Sequence, residues 1–331
     1  MADTYKGESL QKKCARWFTH DFVKRAGGRD RWEDGMHAFL ASREGGDIGV
    51  MLALGVDPAQ MLGFERDPAA HAECVKKWGV RMGAKSPTIA HTQDAGATLL
   101  AFLRGKNFSV KVAHVFWDFC SQIEAHTVDT CVATWRALPL GSFFSIAVIK
   151  GREKRQAPKM LACAQHPNRE ARRAMRKIVR TQDPIDSSAM DAAVWDTLAG
   201  RTPWDMFEMI GLIPEINRCD PATSRAALLA ALLSRSEAGT AAILESLVEY
   251  QSVTVTGRGV PMLIATFRKE AAERASFSEI LRTSITQEGA VEWRNAILAE
   301  NDADRASLIL NIPRGSAAAL KAHVTRGTYA A

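Results

Sequence analysis

The chain is predicted to fold as an α/β protein: a doubly wound, mostly parallel seven-stranded sheet with a closing antiparallel hairpin, a helical insertion and a helical C-terminal tail. Three observations predict it. Five short apolar runs alternate with helix-patterned stretches at intervals of about 25–30 residues, the pattern of βαβ units in a parallel sheet. Two of those runs end on an acid, Glu65 and Asp118. After a long helical stretch, two further β-type runs flank Gly257-Arg258-Gly259, which reads as a hairpin turn.

The elements follow in chain order. Residues 8–26 place Leu10, Cys14, Trp17, Phe18 and Phe22 at helical spacing, an amphipathic opening helix within an N-terminal segment 1–35. The first strand is MHAFLA (36–41), followed by SREGG and a helix-like DIGVMLALG. The second, QMLGFERD (60–67), leads into PAAHAECVKKWG, where Asp67 before Pro68 is a helix-start signal. PTIAHTQD (87–94) is a third, weaker strand before AGATLLAFLRG. The fourth runs from about Ser109 to Asp118, the fifth over 142–151. Helices then fill about 152–245, including the alanine-rich SRAALLAALLSRSEAGTAAILESL, as an insertion before the hairpin at 247–269. The α/β domain thus spans 36–269, and 270–331 is a helical tail.

In such a sheet right-handed crossovers bring every parallel strand's carboxyl end to one edge, and ligands bind there, where strand order reverses. Residues just after each strand are therefore the candidates. The composition, 47% hydrophobic and 24% charged, is that of an ordinary globular protein, and no run approaches 18 apolar residues, so no membrane span is expected. The polar N-terminus and six scattered cysteines without a C-x-x-C pair point to a cytoplasmic, reducing setting. The eight histidines show no H-x-x-x-H or H-E-x-x-H spacing, which gives a metal site no support.

Five βα-type strands, acids ending the second and fourth, and a closing hairpin resemble the class I S-adenosylmethionine-dependent methyltransferases, whose sheet has seven strands with an antiparallel last one. The resemblance covers roughly 36–268 and is one of layout. It implies S-adenosylmethionine as cofactor, held by the loop Ser42-Arg43-Glu44-Gly45-Gly46 after the first strand, with Ser42, Gly45 and Gly46 as its binding residues. It implies Glu65 on the ribose hydroxyls, Asp94 facing the adenine amino group, and Asp118 beside the transferred methyl. The chain departs from the family's motifs: the glycines come late after the first strand, and Asp118-Phe119-Cys120-Ser121 has no proline. Trp117 and Asp118 are expected to line the target pocket, an aromatic to stack on a flat ring beside a carboxylate that accepts a proton or positions an amine. The plainer readings are an N-cap for Asp118 and Asp94, and around Glu65 surface pairs or a cap made by Arg66 and Asp67; Cys120 reads as a buried thiol more readily than as a nucleophile.

Charge is unevenly spread. From Lys150 to Arg180 there are eleven cations against Glu153 and Glu170, more self-repulsion than a solvated face needs and a pointer to an anionic partner. Arg152, Lys154, Arg155, Arg172, Arg173, Arg176 and Lys177 are the candidate nucleic-acid contacts there. The tail ASLILNIPRGSAAALKAHVTRG resembles a helix-turn-helix, with four cations and no acid from Arg305 onward; Arg314, Lys321 and Arg326 are candidates for phosphates or base edges. Its other reading is packing or a homo-oligomer contact. The resulting expectation is methyl transfer to nucleic acid, DNA before RNA. The alternative is a non-catalytic nucleic-acid-binding protein on a degenerate methyltransferase-like scaffold.

Overall fold

The computed structural model describes residues 10–106, 110–149, 202–210, 221–253 and 259–272. Its helices are α1 (Leu10–Gly27), α2 (Arg29–Asp34), α3 (Gly46–Ala53), α4 (Pro68–Met82), α5 (Ala95–Gly105), α6 (Ala125–Ala137), α7 (Pro203–Ile210) and α8 (Pro221–Ser236). The strands are β1 (Met36–Leu40), β2 (Met61–Glu65), β3 (Thr88–His91), β4 (Val112–Asp118), β5 (Phe143–Ile149), β6 (Thr240–Val253) and β7 (Gly259–Ala271). The candidates Arg152, Lys154, Arg155, Arg172, Arg173, Arg176, Lys177, Arg314, Lys321 and Arg326 lie outside the described residues.

The seven strands form one sheet in the order β3-β2-β1-β4-β5-β7-β6. The first five are parallel to one another, and β7 enters antiparallel between β5 and β6. This is a doubly wound, methyltransferase-like sheet, as the resemblance implies. Strand order reverses between β1 and β4, which are paired neighbours, and this switch point is where doubly wound sheets bind ligands.

Period-two alternation sorts side chains onto two faces. Met36, Ala38, Leu62, Phe64, Val115, Trp117, Phe144 and Ile146 face a core built with α5, α6, α7 and α8. Phe39, Met61, Phe116, Phe143 and Ala147 face a second core with α1, α2, α3 and α4. Because β1, β2, β4 and β5 are buried on both faces, their sequences read as near-continuous apolar runs rather than alternating ones.

Local signals hold in detail at α4, where Asp67 accepts from the backbone N–H groups of Ala69 (2.8 Å) and Ala70 (3.1 Å) with Pro68 in the first turn. One boundary needs correction. The alanine-rich stretch expected to be helical to about residue 245 leaves the helix at Ser236, and β6 starts at Thr240 rather than 247. Gly239, at φ 80, makes the break. Ala242, Leu244 and Leu247 then go to the core as strand residues, because pairing along β7 overrides alanine's intrinsic preference for helix.

The last turn of α6 is closed by a lysine from β7. Lys269 Nζ donates to the carbonyls of Trp135 (2.8 Å) and Leu138 (2.7 Å) and pairs with Glu237 Oε2 (2.5 Å), its side chain 2% exposed. The Trp135 carbonyl has only the longer bond from the Leu138 N–H (3.2 Å) within the helix, and a cation suits the negative end of the helix. Lys269→Met is expected to cost on the order of 3 kcal/mol, read as a lower urea midpoint, because two buried carbonyls and a carboxylate lose their partner. An unchanged midpoint would mean that water replaces the ammonium there.

Candidate functional site

The carboxyl ends of β1, β2, β3 and β4 bring the loops at 41–46, 65–67, 92–94 and 118–121 to one edge. After β1 the chain makes a tight turn, with Gly45 N–H donating to Ser42 O (2.9 Å), and Gly45 at φ 59 serves as N-cap of α3. A Cβ at Gly45 would lie 2.2 Å from Trp78 Nε1, so both the backbone conformation and the packing require glycine. Ser42 is exposed and Gly46 buried, while Arg43 and Glu44 reach back to α4 through Glu73 (3.1 Å) and Lys77 (2.6 Å).

Glu65 ends β2 half-buried. Its Oε1 accepts from the backbone N–H groups of Arg66 (2.8 Å) and Asp67 (2.9 Å), which fixes the carboxylate; among the described residues no hydrogen bond reaches Oε2. Asp94 is exposed and is the N-cap of α5, accepting from Ala97 N–H (2.9 Å). Its plainer reading is thus realised, though one cap bond leaves the carboxylate further acceptor capacity.

Asp118 is not a helix cap, since α6 begins after Glu124. Its side chain, 6% exposed, faces α1, where Lys12 Nζ stands 2.9 Å and Arg16 NH2 3.3 Å from Oδ2. Cys120 donates its thiol to Oδ1 (2.9 Å). Burial would raise the Asp118 pKa, but the charges of Lys12 and Arg16 and the bonds from Cys120 and Lys12 outweigh it and bring it down to about 2. Cys120 is the one non-glycine residue at positive φ (49) among those described, and burial, with the Asp118 charge, pushes its thiol up to about 12. A thiol so held stays protonated and is no nucleophile. Tyr250 of β6 completes the cluster, its phenol raised by burial and then by the Asp118 charge.

Trp117 lies elsewhere. It is fully buried on the opposite face, its indole N–H donating to Thr134 Oγ1 (2.7 Å) and its ring edge-on to Phe64 and Phe144. The expectation that Trp117 and Asp118 share a pocket is corrected: adjacent strand residues point to opposite faces, so only one of them can look toward α1.

The basic stripe of α1 was missed in the sequence. Lys12, Arg16 and His20 recur every four residues and so share one helix face, a legible signal hidden by the apolar residues around it. Arg16 Nε is 2.8 Å from Asp47 Oδ1, an ion-pair contact off the hydrogen-bond axis, and His20 Nε2 is 3.1 Å from the same oxygen. Among the described residues no group of three or more His, Cys, Asp or Glu side chains is placed to hold a metal, and no helix is long and apolar enough to cross a membrane.

No protein family and no curated protein matches the chain. Solved structures do. One, described for the conversion of a disulfide bond into a thioacetal group during echinomycin biosynthesis, is 13% identical over 82% of this chain and 88% of its own, with a TM-score of 0.36. A candidate RNA methyltransferase from Pyrococcus horikoshii is 11% identical over 76% and 82%, TM-score 0.36. A Haemonchus contortus phosphoethanolamine N-methyltransferase with S-adenosylhomocysteine bound is 13% identical over 77% and 53%, TM-score 0.32. The fold assignment rests on strand order and orientation, and the activities of these neighbours are properties of those proteins.

Proposed function

We propose that the chain binds S-adenosylmethionine at the carboxyl edge of β1, β2 and β4 and transfers its methyl group to a nucleic acid. The observation that carries this reading is the switch point between β1 and β4, with the Gly45 turn on one side and the fixed Glu65 carboxylate beside it. The residues fit the cofactor: Glu65 Oε2 is available to a vicinal diol, and the first turn of α3 presents backbone N–H groups that suit a carboxylate. When bound, the cofactor would supply a methyl group already activated on a sulfonium, so the chain's own task is proximity and orientation.

Asp118, held as an anion with a pKa of about 2, is a poor proton acceptor near neutral pH. The acceptor suited to this edge is therefore a nucleophile that attacks without prior deprotonation, such as a ring nitrogen or an amine. Support for a nucleic acid comes from the eleven cations between Lys150 and Arg180, which suit phosphates. If the acceptor lies in a duplex, its base must leave the stack to reach this edge.

The test is calorimetric titration of the full chain with S-adenosylmethionine. Wild type is expected to bind in the micromolar range and Glu65→Ala at least tenfold more weakly, from loss of the diol's acceptor. Glu65→Gln, which keeps an oxygen for the Arg66 and Asp67 N–H groups, separates loss of the loop anchor from loss of the ligand contact. No binding by wild type sinks the enzyme reading. The clamped Asp118 favours the second reading, a non-catalytic nucleic-acid-binding protein, which predicts salt-sensitive binding to DNA or RNA without cofactor affinity.

A further inference from the structure

Two carboxylates far apart in sequence meet on one guanidinium. Asp47 lies in the first turn of α3, two residues after the Gly45 turn, and Asp118 ends β4; β1 and β4 are neighbours at the switch point. Arg16 reaches both, Nε at 2.8 Å from Asp47 and NH2 at 3.3 Å from Asp118, with all three side chains at most 6% exposed. Neither acid is positioned by its own helix or strand alone. A guanidinium turns separate nitrogens toward the two anions, Nε to Asp47 and NH2 to Asp118, which a lysine's single point charge cannot do. His20 on Asp47 and Lys12 on Asp118 fix the ends of the same bridge, so the stripe of α1 joins the start of α3 to the end of β4.

We infer that Arg16 is a positioning residue for the cofactor loop: through Asp47 it sets the Gly45 turn and the start of α3 relative to the end of β4. The inference rests on the proposed cofactor reading for its functional consequence, though not for its structural one. Arg16 touches no reacting atom and acts by holding the turn whose backbone would meet the ligand. Arg16→Lys keeps the charge, reaches one acid at a time and lets the turn drift.

The experiment compares wild type, Arg16→Lys and Lys269→Met, the last a destabilised variant at the far end of α6. Each is read by amide hydrogen exchange without ligand and by titration with S-adenosylmethionine. Arg16→Lys is expected to speed exchange at Gly45 to Ile48 and to weaken binding about tenfold. Lys269→Met is expected to leave both as in wild type. Unchanged exchange and affinity in Arg16→Lys overturns the inference, and so does an equal loss in Lys269→Met, which would mean general loosening. If wild type binds no S-adenosylmethionine, the cofactor reading fails while the exchange data still decide the role of Arg16. If Arg16→Lys does not fold, Asp47→Asn, which keeps the shape and removes the charge, is read the same way.

Discussion

Asp118→Ala is expected to lower the unfolding free energy by about 3–5 kcal/mol, because it leaves Lys12 and Arg16 buried with one carboxylate fewer. The gain from the contacts themselves is smaller than this loss, since bringing the ions out of water costs most of what their attraction returns. What the substitution reveals is the cost of buried cations that have lost one counter-ion. The double variant Lys12→Met with Asp118→Leu is accordingly expected to lose less than Asp118→Ala alone, as one charge of each sign is replaced by apolar volume. Urea denaturation of the three chains reads both values. Equal stability of Asp118→Ala and wild type would mean that water reaches the cluster and that the clamp on α1 contributes little.

Mild acid is expected to destabilise the protein through its buried histidines, before the Asp118 carboxylate titrates. His37 and His114 sit opposite one another on β1 and β4, each 1% exposed, and His20 of α1 lies edge-on to His114 with ring centroids 5.0 Å apart. His37 Nε2 bonds Trp32 O (2.8 Å); His114 Nε2 bonds Ser145 Oγ (2.8 Å), which meets Thr266 Oγ1 (2.8 Å). Burial lowers His37 to about 4 and takes His114 well below its ordinary value, with His20 adding to both. Because folding lowers these values, the unfolded chain binds protons first as pH falls. The stability is fully present above about pH 6.5 and is lost from there down toward pH 4, His37 alone accounting for about 3 kcal/mol. The Asp118 contribution goes only later, below the ordinary carboxylate range and toward pH 2. Urea midpoints at pH 7.5, 6 and 5 should fall steadily. His37→Gln, which keeps a donor for Trp32 O and cannot titrate, should flatten the slope by about one proton; a wild-type midpoint unchanged between pH 7.5 and 5 would contradict the account.

Much of this architecture is written locally. The apolar runs at 61–65 and 143–149 and the Asp67-Pro68 start of α4 declare themselves within a few residues, since alternation and capping act over one or two peptide units. The opposite facing of Trp117 and Asp118 was equally available, because period two is a property of any strand. What the sequence by itself determined, then, is the set of strands, their βαβ linkage and the acids at the shared edge. Only the tertiary structure decided what those acids do. Lys12 and Arg16 meet Asp118 across more than a hundred residues, and Asp47 meets His20 across a helix packing rather than a local motif. The start of β6 at Thr240 likewise depends on β7 lying beside it. Propensity and spacing see only neighbours along the chain, whereas the partner of a buried charge is chosen by which helix face the folded sheet brings against it.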